Sequence, residues 1–193
     1  HYIAPSPDRV EAEMAQFLAW FDSETALSSI IRSAIAHFWF VSIHPFEDGN
    51  GRMARILSDM LLARGEKSEL RFYNISSQIN KHKKQYYDIL ERTQRGDGDI
   101  TEWLVWYMQE LVEALDEAEA TVNMILNKSL FWQQATAVPM TDRQVQVLNL
   151  FLDGYEAKIT SKTWASLAKC SKDTAIRDIQ DLVIKNVLVE DFP

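Results

Sequence analysis

A stretch of twelve residues, 44–55, gathers groups that could handle phosphate: His44, Pro45, Phe46, Glu47, Asp48, Gly49, Asn50, Gly51, Arg52 and, three further on, Arg55. A structural turn needs one glycine, not a histidine, two acids and two forked cations. Gly49 and Gly51 flank Asn50 where a helix resumes. Glycine leaves backbone amides uncovered, and amides at a helix N-terminus attract anions. Arg52 and Arg55 lie one turn apart, so both guanidinium groups can reach the same end of that helix. Two forked donors and an amide nest suit two or three adjacent phosphates. A carboxylate beside a polyphosphate calls for a cation between them, so Asp48 is a candidate Mg²⁺ ligand. An imidazole titrates near about 6.5 in water, so His44 can take a proton from an attacking hydroxyl at neutral pH. The pattern reads as nucleotidyl or phosphoryl transfer from a Mg-bound nucleotide. No G-x-x-x-x-G-K-[ST] P-loop occurs.

These residues need elements to hold them. Six glycines and five prolines in 193 residues predict few loops and an all-α fold. Residues 5–24 read as the start of a helix with Asp8 at its N-cap and an apolar stripe of Val10, Met14, Phe17, Leu18 and Phe21. Residues 27–43, apolar on most sides, read as the central buried helix. Residues 52–65 read as the next helix, with Gly65 as its stop. A polar helix carrying Tyr86 and Tyr87 follows, then a long one from Asp99 or Thr101 with a stripe of Trp103, Trp106, Tyr107, Leu111, Leu115 and Ala118.

The texture changes after a linker at 134–140. Residues 141–154 form a capped helix ended by Gly154. Residues 160–191 read as a short helix, a turn near Cys170, a second helix from Ser171 or Lys172, and a strand, "VLVED". That order predicts a winged-helix module, with domains at 1–135 and 139–193.

Composition narrows the partners. The formal charge is -8, which disfavours a nucleic-acid coat or a polybasic membrane anchor. From Pro139 onward 8 acids and 7 bases are near balance, against 20 and 13 before it, so DNA contact would be local to the C-terminal part. There Lys172, Arg177 and Lys185 are offset by Asp173, Asp178 and Asp181, a poor phosphate-binding face. One cysteine, Cys170, permits no intrachain disulfide, and no apolar run reaches 18 residues. A soluble cytoplasmic protein is the expectation. A chain opening at His1 is expected to be part of a longer one.

"HPFEDGNGRMAR" (44–55) resembles the Fic family signature H-P-F-x-[D/N]-G-N-G-R-x-x-R at every fixed position. The segments "KKQYYDILERTQRGD" and "DITEWLVWYMQELVEA" resemble the regions that follow it, and the C-terminal part is similar to the winged helix of some bacterial members. The resemblance implies a Fic-type helical bundle that transfers AMP from Mg-ATP to a Ser, Thr or Tyr hydroxyl of a protein (adenylylation, or AMPylation). It implies His44 as general base, Phe46 as the loop's anchor in the core and Asp48 as the metal ligand. Gly49, Asn50 and Gly51 would form the hole for the α- and β-phosphates, with Arg52 on the β- and Arg55 on the γ-phosphate. Tyr86, Tyr87 and Gln94 would line the nucleoside, Gln94 standing where relatives have Asn. Relatives often carry an inhibitory helix, [S/T]-x-x-x-E-[G/N]. No segment here matches it, so a missing segment, a separate protein or different regulation is implied. "HYIAPSP" reads as the trailing end of the target-aligning β-hairpin flap, the rest lying outside this chain.

The implied partners are a hydroxyl-bearing target protein or the chain itself, with a homodimer and DNA left open. Two alternatives also stay open: a nucleotide-sensing winged-helix transcription regulator, and an enzyme that removes AMP or transfers another phosphate-containing group.

Overall fold

A computed structural model of the chain describes residues 2–66 and 72–190. It is helical, with no strand among the described residues. It divides into two compact units, His1–Ala118 and Glu119–Pro193.

In the first unit α1 (Pro7–Asp22), α2 (Ser29–Ile43), α3 (Asn50–Glu66), α4 (Ile75–Lys81) and α5 (Lys83–Gln94) pack with the first half of α6 (Thr101–Ala135). Ser28 caps α2 by accepting from the Ile31 amide. The apolar run in α2 has a use: the helix separates two cores. Ala36, Phe40 and Ile43 face Phe17 and Phe21 of α1 and Ala54 and Leu61 of α3. Ala34 faces the other core, with Leu62, Tyr86, Trp103 and Tyr107. The Trp103 indole donates to the Ala34 carbonyl at 2.8 Å, tying α6 to the middle of α2. Burying several aromatic side chains at about 25 cal/mol per Å² of apolar surface is the main force holding α2 in place.

Local expectations shift in five places. Ser6 holds the N-cap position of α1, and Asp8 lies in the first turn, where the Ser6 hydroxyl keeps its carboxyl below the usual range. Leu18 is exposed, and Trp20 joins the core instead. Gly65 does not end α3, which runs to Glu66. Its missing side chain lets α3 pass close to Ser29, whose Oγ and Cβ occupy the space a Cβ at 65 would need. The polar segment is two helices, broken at His82. On α6 the buried stripe is Trp103, Trp106, Tyr107, Glu110, Leu111 and Ala114, while Leu115 is exposed.

In the second unit α7 (Asp142–Leu152), α8 (Ser161–Ala168) and α9 (Lys172–Ile184) enclose Val147, Leu148, Trp164, Ala175 and Leu182. Phe131 and Trp132, near the end of α6, pack against that core. This is why the division falls inside α6 and not at the 134–140 segment. A Thr141–Gln144 capping box starts α7. Lys169, left-handed at φ 48°, and the Ser171 cap make the turn between α8 and α9. The expected strand is absent from Val187–Glu190, and Asp191 lies outside the described residues. The Val187 and Leu188 amides turn back to the Leu182 carbonyl behind a left-handed Asn186, so they close α9 and are not free for a ladder. Asp178 faces inward to Arg143, and Lys185 is held by Asp181 and the Pro139 carbonyl. Also on α9, Arg177 Nε donates to the Asp173 carbonyl at 3.3 Å.

Candidate functional site

α2 ends at His44, which adopts a left-handed backbone (φ 52°, ψ 55°) while its amide still bonds the Phe40 carbonyl at 3.1 Å. Histidine is among the few non-glycine residues found in that region. The imidazole is exposed. Its Nδ1 lies 3.4 Å from the Val41 carbonyl. An N–H there leaves Nε2 as the acceptor, the form a base requires.

The loop then runs to α3. Gly49 sits at φ 84°, a conformation that strains other residues. Asn50 is 3% exposed, and its side chain grips the Phe46 backbone from both sides. Oδ1 accepts from the Phe46 amide at 3.1 Å, and Nδ2 donates to the Phe46 carbonyl at 2.6 Å. The expectation that Phe46 anchors the loop in the core is therefore corrected. Its ring is 49% exposed and leans on Phe40 at 6.2 Å. The Asn50 side chain does the anchoring, because a buried amide can satisfy both polar groups of one peptide residue at once.

Met53 makes the first backbone bond of α3, to Gly49. The preceding amides, Asn50, Gly51 and Arg52, have no intrahelical acceptor. A Cβ at Gly51 would meet nothing within 4 Å. No protein atom demands a glycine there, whereas a phosphate drawn against the amides would.

These amides open into a cleft of about 780 Å³ that also holds His44, Asp48, Gly49, Arg52, Arg55, Tyr86, Tyr87 and Gln94. The tertiary structure thus brings together every expected site residue except Phe46. Asp48 and Arg52 face one another at 3.5 Å, both largely exposed, a pairing weak enough to be exchanged for a phosphate or a cation. Arg55, half-buried, has no carboxylate partner among the described residues. Its charge reaches both His37 and Tyr86.

The three nucleoside candidates differ. Tyr86 is 4% exposed and belongs to the core. Tyr87, on the next position of α5, is 57% exposed and meets Tyr86 edge to face at 5.1 Å. Tyr87 is the ring the cleft presents. Gln94 donates to Ser42 Oγ at 3.0 Å, pinning the end of α5 to α2.

Sequence reasoning missed several lining residues: Tyr2, Ala4, Val41, Leu90 and Glu91. Leu90 and Glu91 could have been found, since 87, 90, 91 and 94 share one face of a helix. Tyr2, whose hydroxyl donates to the Ser42 carbonyl at 3.2 Å, left no local signal. Nor did His37, buried beneath the cleft.

An all-helical fold carrying an anion-receptive helix start, two arginines and an exposed imidazole defines the class. Residues 1–62 match the model of the Fic/DOC family. It is similar to the protein adenylyltransferase Fic of Culex quinquefasciatus, with 34% identity over 98 residues, 50% of this chain and 18% of that protein. It is similar to the protein adenylyltransferase fic-1 of Caenorhabditis briggsae, with 41% identity over 61 residues, 31% of this chain and 12% of that protein. The chain thus spans less than a fifth of the length of these relatives. Its fold is similar to that of a Fic family protein from Desulfovibrio desulfuricans G20, with a TM-score of 0.57 and 24% identity, covering 94% of this chain and 50% of that one. No helix of the described residues is long and apolar enough to cross a membrane.

Proposed function

We propose that this chain is the catalytic segment of a protein adenylyltransferase, moving AMP from ATP to a Ser, Thr or Tyr hydroxyl of a target protein or of itself. One observation carries the reading. An exposed imidazole, helix-start amides with no intrahelical acceptor and an arginine without a carboxylate partner among the described residues converge on one cleft large enough for a nucleotide. The names of the similar proteins support the same activity.

Arg52, Arg55 and the amides of Asn50 and Gly51 hold the phosphates. Asp48, an open carboxylate beside them, fits a hard divalent cation, and Mg²⁺ held there would neutralise phosphate charge. Tyr87 offers its ring to the base. His44 Nε2 takes the proton from the incoming hydroxyl as the hydroxyl oxygen bonds to the α-phosphorus. The bond from that phosphorus to its bridging oxygen breaks, and pyrophosphate leaves with the electron pair. The arginines stabilise the charge that develops on it.

The test is incubation of the chain and candidate target with ATP labelled on the α-phosphate. Label transfer that falls by about 10²–10⁴ in His44→Ala, with nucleotide affinity retained, supports the proposal. Equal transfer by His44→Ala overturns the assignment of the base. No magnesium-dependent nucleotide uptake by the intact protein overturns the reading altogether. Mass spectrometry of the product separates AMP addition from AMP removal or transfer of another group.

A further inference from the structure

Away from the cleft, α6 and the break between α4 and α5 assemble a second set of ligand-type side chains. Glu110 and Glu113 stand one turn apart on α6, and His82 occupies the break. His82 Nδ1 lies 2.8 Å from Glu110 Oε2, 3.0 Å from Oε1 and 3.8 Å from Glu113 Oε2. One donor atom from each residue lies within 4.8 Å of the other two. A histidine needs one carboxylate to make an ion pair. Here two converge on a single nitrogen, and Glu110 is 3% exposed. Two carboxylates brought together repel, and a cation of higher charge than an imidazolium relieves that repulsion better.

The chemistry and spacing suit a small borderline-soft ion. Imidazole nitrogen with carboxylate oxygens is a donor set for zinc and its neighbours. Donors about 2.0–2.1 Å from a tetrahedral centre stand roughly 3.4 Å apart, between the two separations seen here. A second observation is independent of the acids. Trp106 lines the same hollow of about 700 Å³. It is 8% exposed, and its indole N–H is buried with no hydrogen-bond partner among the described residues.

We propose that His82, Glu110 and Glu113 form a zinc-class divalent cation site, separate from the cleft, that pins the start of α5 to α6. Because α5 carries Tyr87, Leu90 and Gln94, such an ion steadies one wall of the cleft without touching its contents. Binding takes the place of the proton between His82 and Glu110 and releases it.

The experiment titrates zinc alone into the full chain against a chromophoric chelator, with X-ray absorption on the loaded protein. The expected result is one zinc per chain, bound to nitrogen and oxygen at about 2.0–2.1 Å. Affinity should fall at least about tenfold in His82→Ala and in Glu113→Gln. Glu113 is half-exposed, so its variant stays folded if changes at buried Glu110 do not. Zinc uptake should persist in the His44→Ala/Asp48→Ala double variant. No uptake at micromolar zinc, uptake that survives His82→Ala, or uptake lost only in the cleft double variant would each overturn the proposal.

Discussion

The Tyr86 hydroxyl lies 3.0 Å from His37 Nε2, and the two rings meet edge to face at 5.7 Å beneath the cleft. On the other side of that imidazole, Nδ1 lies 3.3 Å from Ser58 Oγ, which also lies 2.8 Å from the Ala54 carbonyl. One arrangement that satisfies the chain has Tyr86 donate to His37, His37 to Ser58, and Ser58 to the carbonyl of Ala54 or of Ser33, 3.1 Å away. The network joins α5, α2 and α3, the three helices that build the cleft. In that arrangement the imidazole is neutral.

Burial, aided by the charge of Arg55, pushes the His37 pKa down to about 3. Burial pushes the Tyr86 phenol up, so it remains a donor. The folded imidazole pKa is below the unfolded one, so the stability tied to its neutrality is complete above about pH 6.5 and is lost as pH falls. Between pH 6.5 and 5, above the carboxylate range, unfolding free energy should drop by about 1.4 kcal/mol per pH unit from this group. Urea midpoints at pH 7, 6 and 5 measure the slope. The double variant His37→Leu/Tyr86→Phe should flatten it. An unchanged slope would mean that His37 is not the group responsible.

Asn50 is expected to matter for the loop more than Phe46. Asn50→Ala removes both bonds to the Phe46 backbone and leaves two peptide groups short of partners, at a cost of about 1–3 kcal/mol. Phe46→Leu, at a half-exposed ring, should cost less than about 1.5 kcal/mol. Chemical denaturation of the two variants side by side checks the order. The reverse order would restore Phe46 as the anchor.

Gly65→Ala should destabilise by about 1–3 kcal/mol through overpacking against Ser29, although alanine is the better helix former. If Gly65 were merely a helix stop, Ser29→Gly would make no difference. Since the clash is with the Ser29 side chain, Ser29→Gly in the Gly65→Ala background should recover most of the loss. Thermal melts of the four proteins in that cycle decide it.

In the second unit Arg143 forks onto Asp178 with two bonds of 2.7 Å, and the Trp164 indole adds a third at 3.1 Å. Those donors, Arg143 foremost, hold the Asp178 carboxyl below the usual carboxylate range. Its folded pKa lies below the unfolded one. The stabilisation is therefore present above about pH 4 and disappears as pH falls below it. At neutral pH, Asp178→Asn should cost about 1.5–3 kcal/mol, read as loss of the Trp164 fluorescence transition at lower urea. A loss that persists undiminished well below pH 4 would contradict the ionic origin.

If the arginines divide the phosphates, Arg55→Ala should weaken ATP binding more than Arg52→Ala. Arg52 already meets Asp48 in the open, whereas Arg55 is half-buried with no carboxylate partner among the described residues. A charged hydrogen bond is worth about 1.5–3 kcal/mol, a loss of roughly 10- to 150-fold in affinity. Calorimetry with ATP and magnesium measures both, and equal losses would remove the distinction.

Much of this was legible in the residues themselves. The loop from 44 to 55 could be read because its chemistry is local. Glycines, a helix start and arginines one turn apart fix their mutual placement through backbone geometry within a few ångströms. The helices could be read because apolar spacing and caps such as Thr141 and Ser171 are also local. Only packing across the chain decided the rest. Asn50 and not Phe46 holds the loop, because which side chain turns inward depends on Phe40 and on the space beside it. Tyr86 belongs to the core and Tyr87 to the cleft because Trp103 and His37 already occupy one side of α5. Gly65 marks an approach of two helices, and 187–190 caps α9 where a strand was expected. A spacing rule states which residues share a face, but not what lies opposite it. That is set when elements distant in sequence compete to bury apolar surface and satisfy each buried polar group.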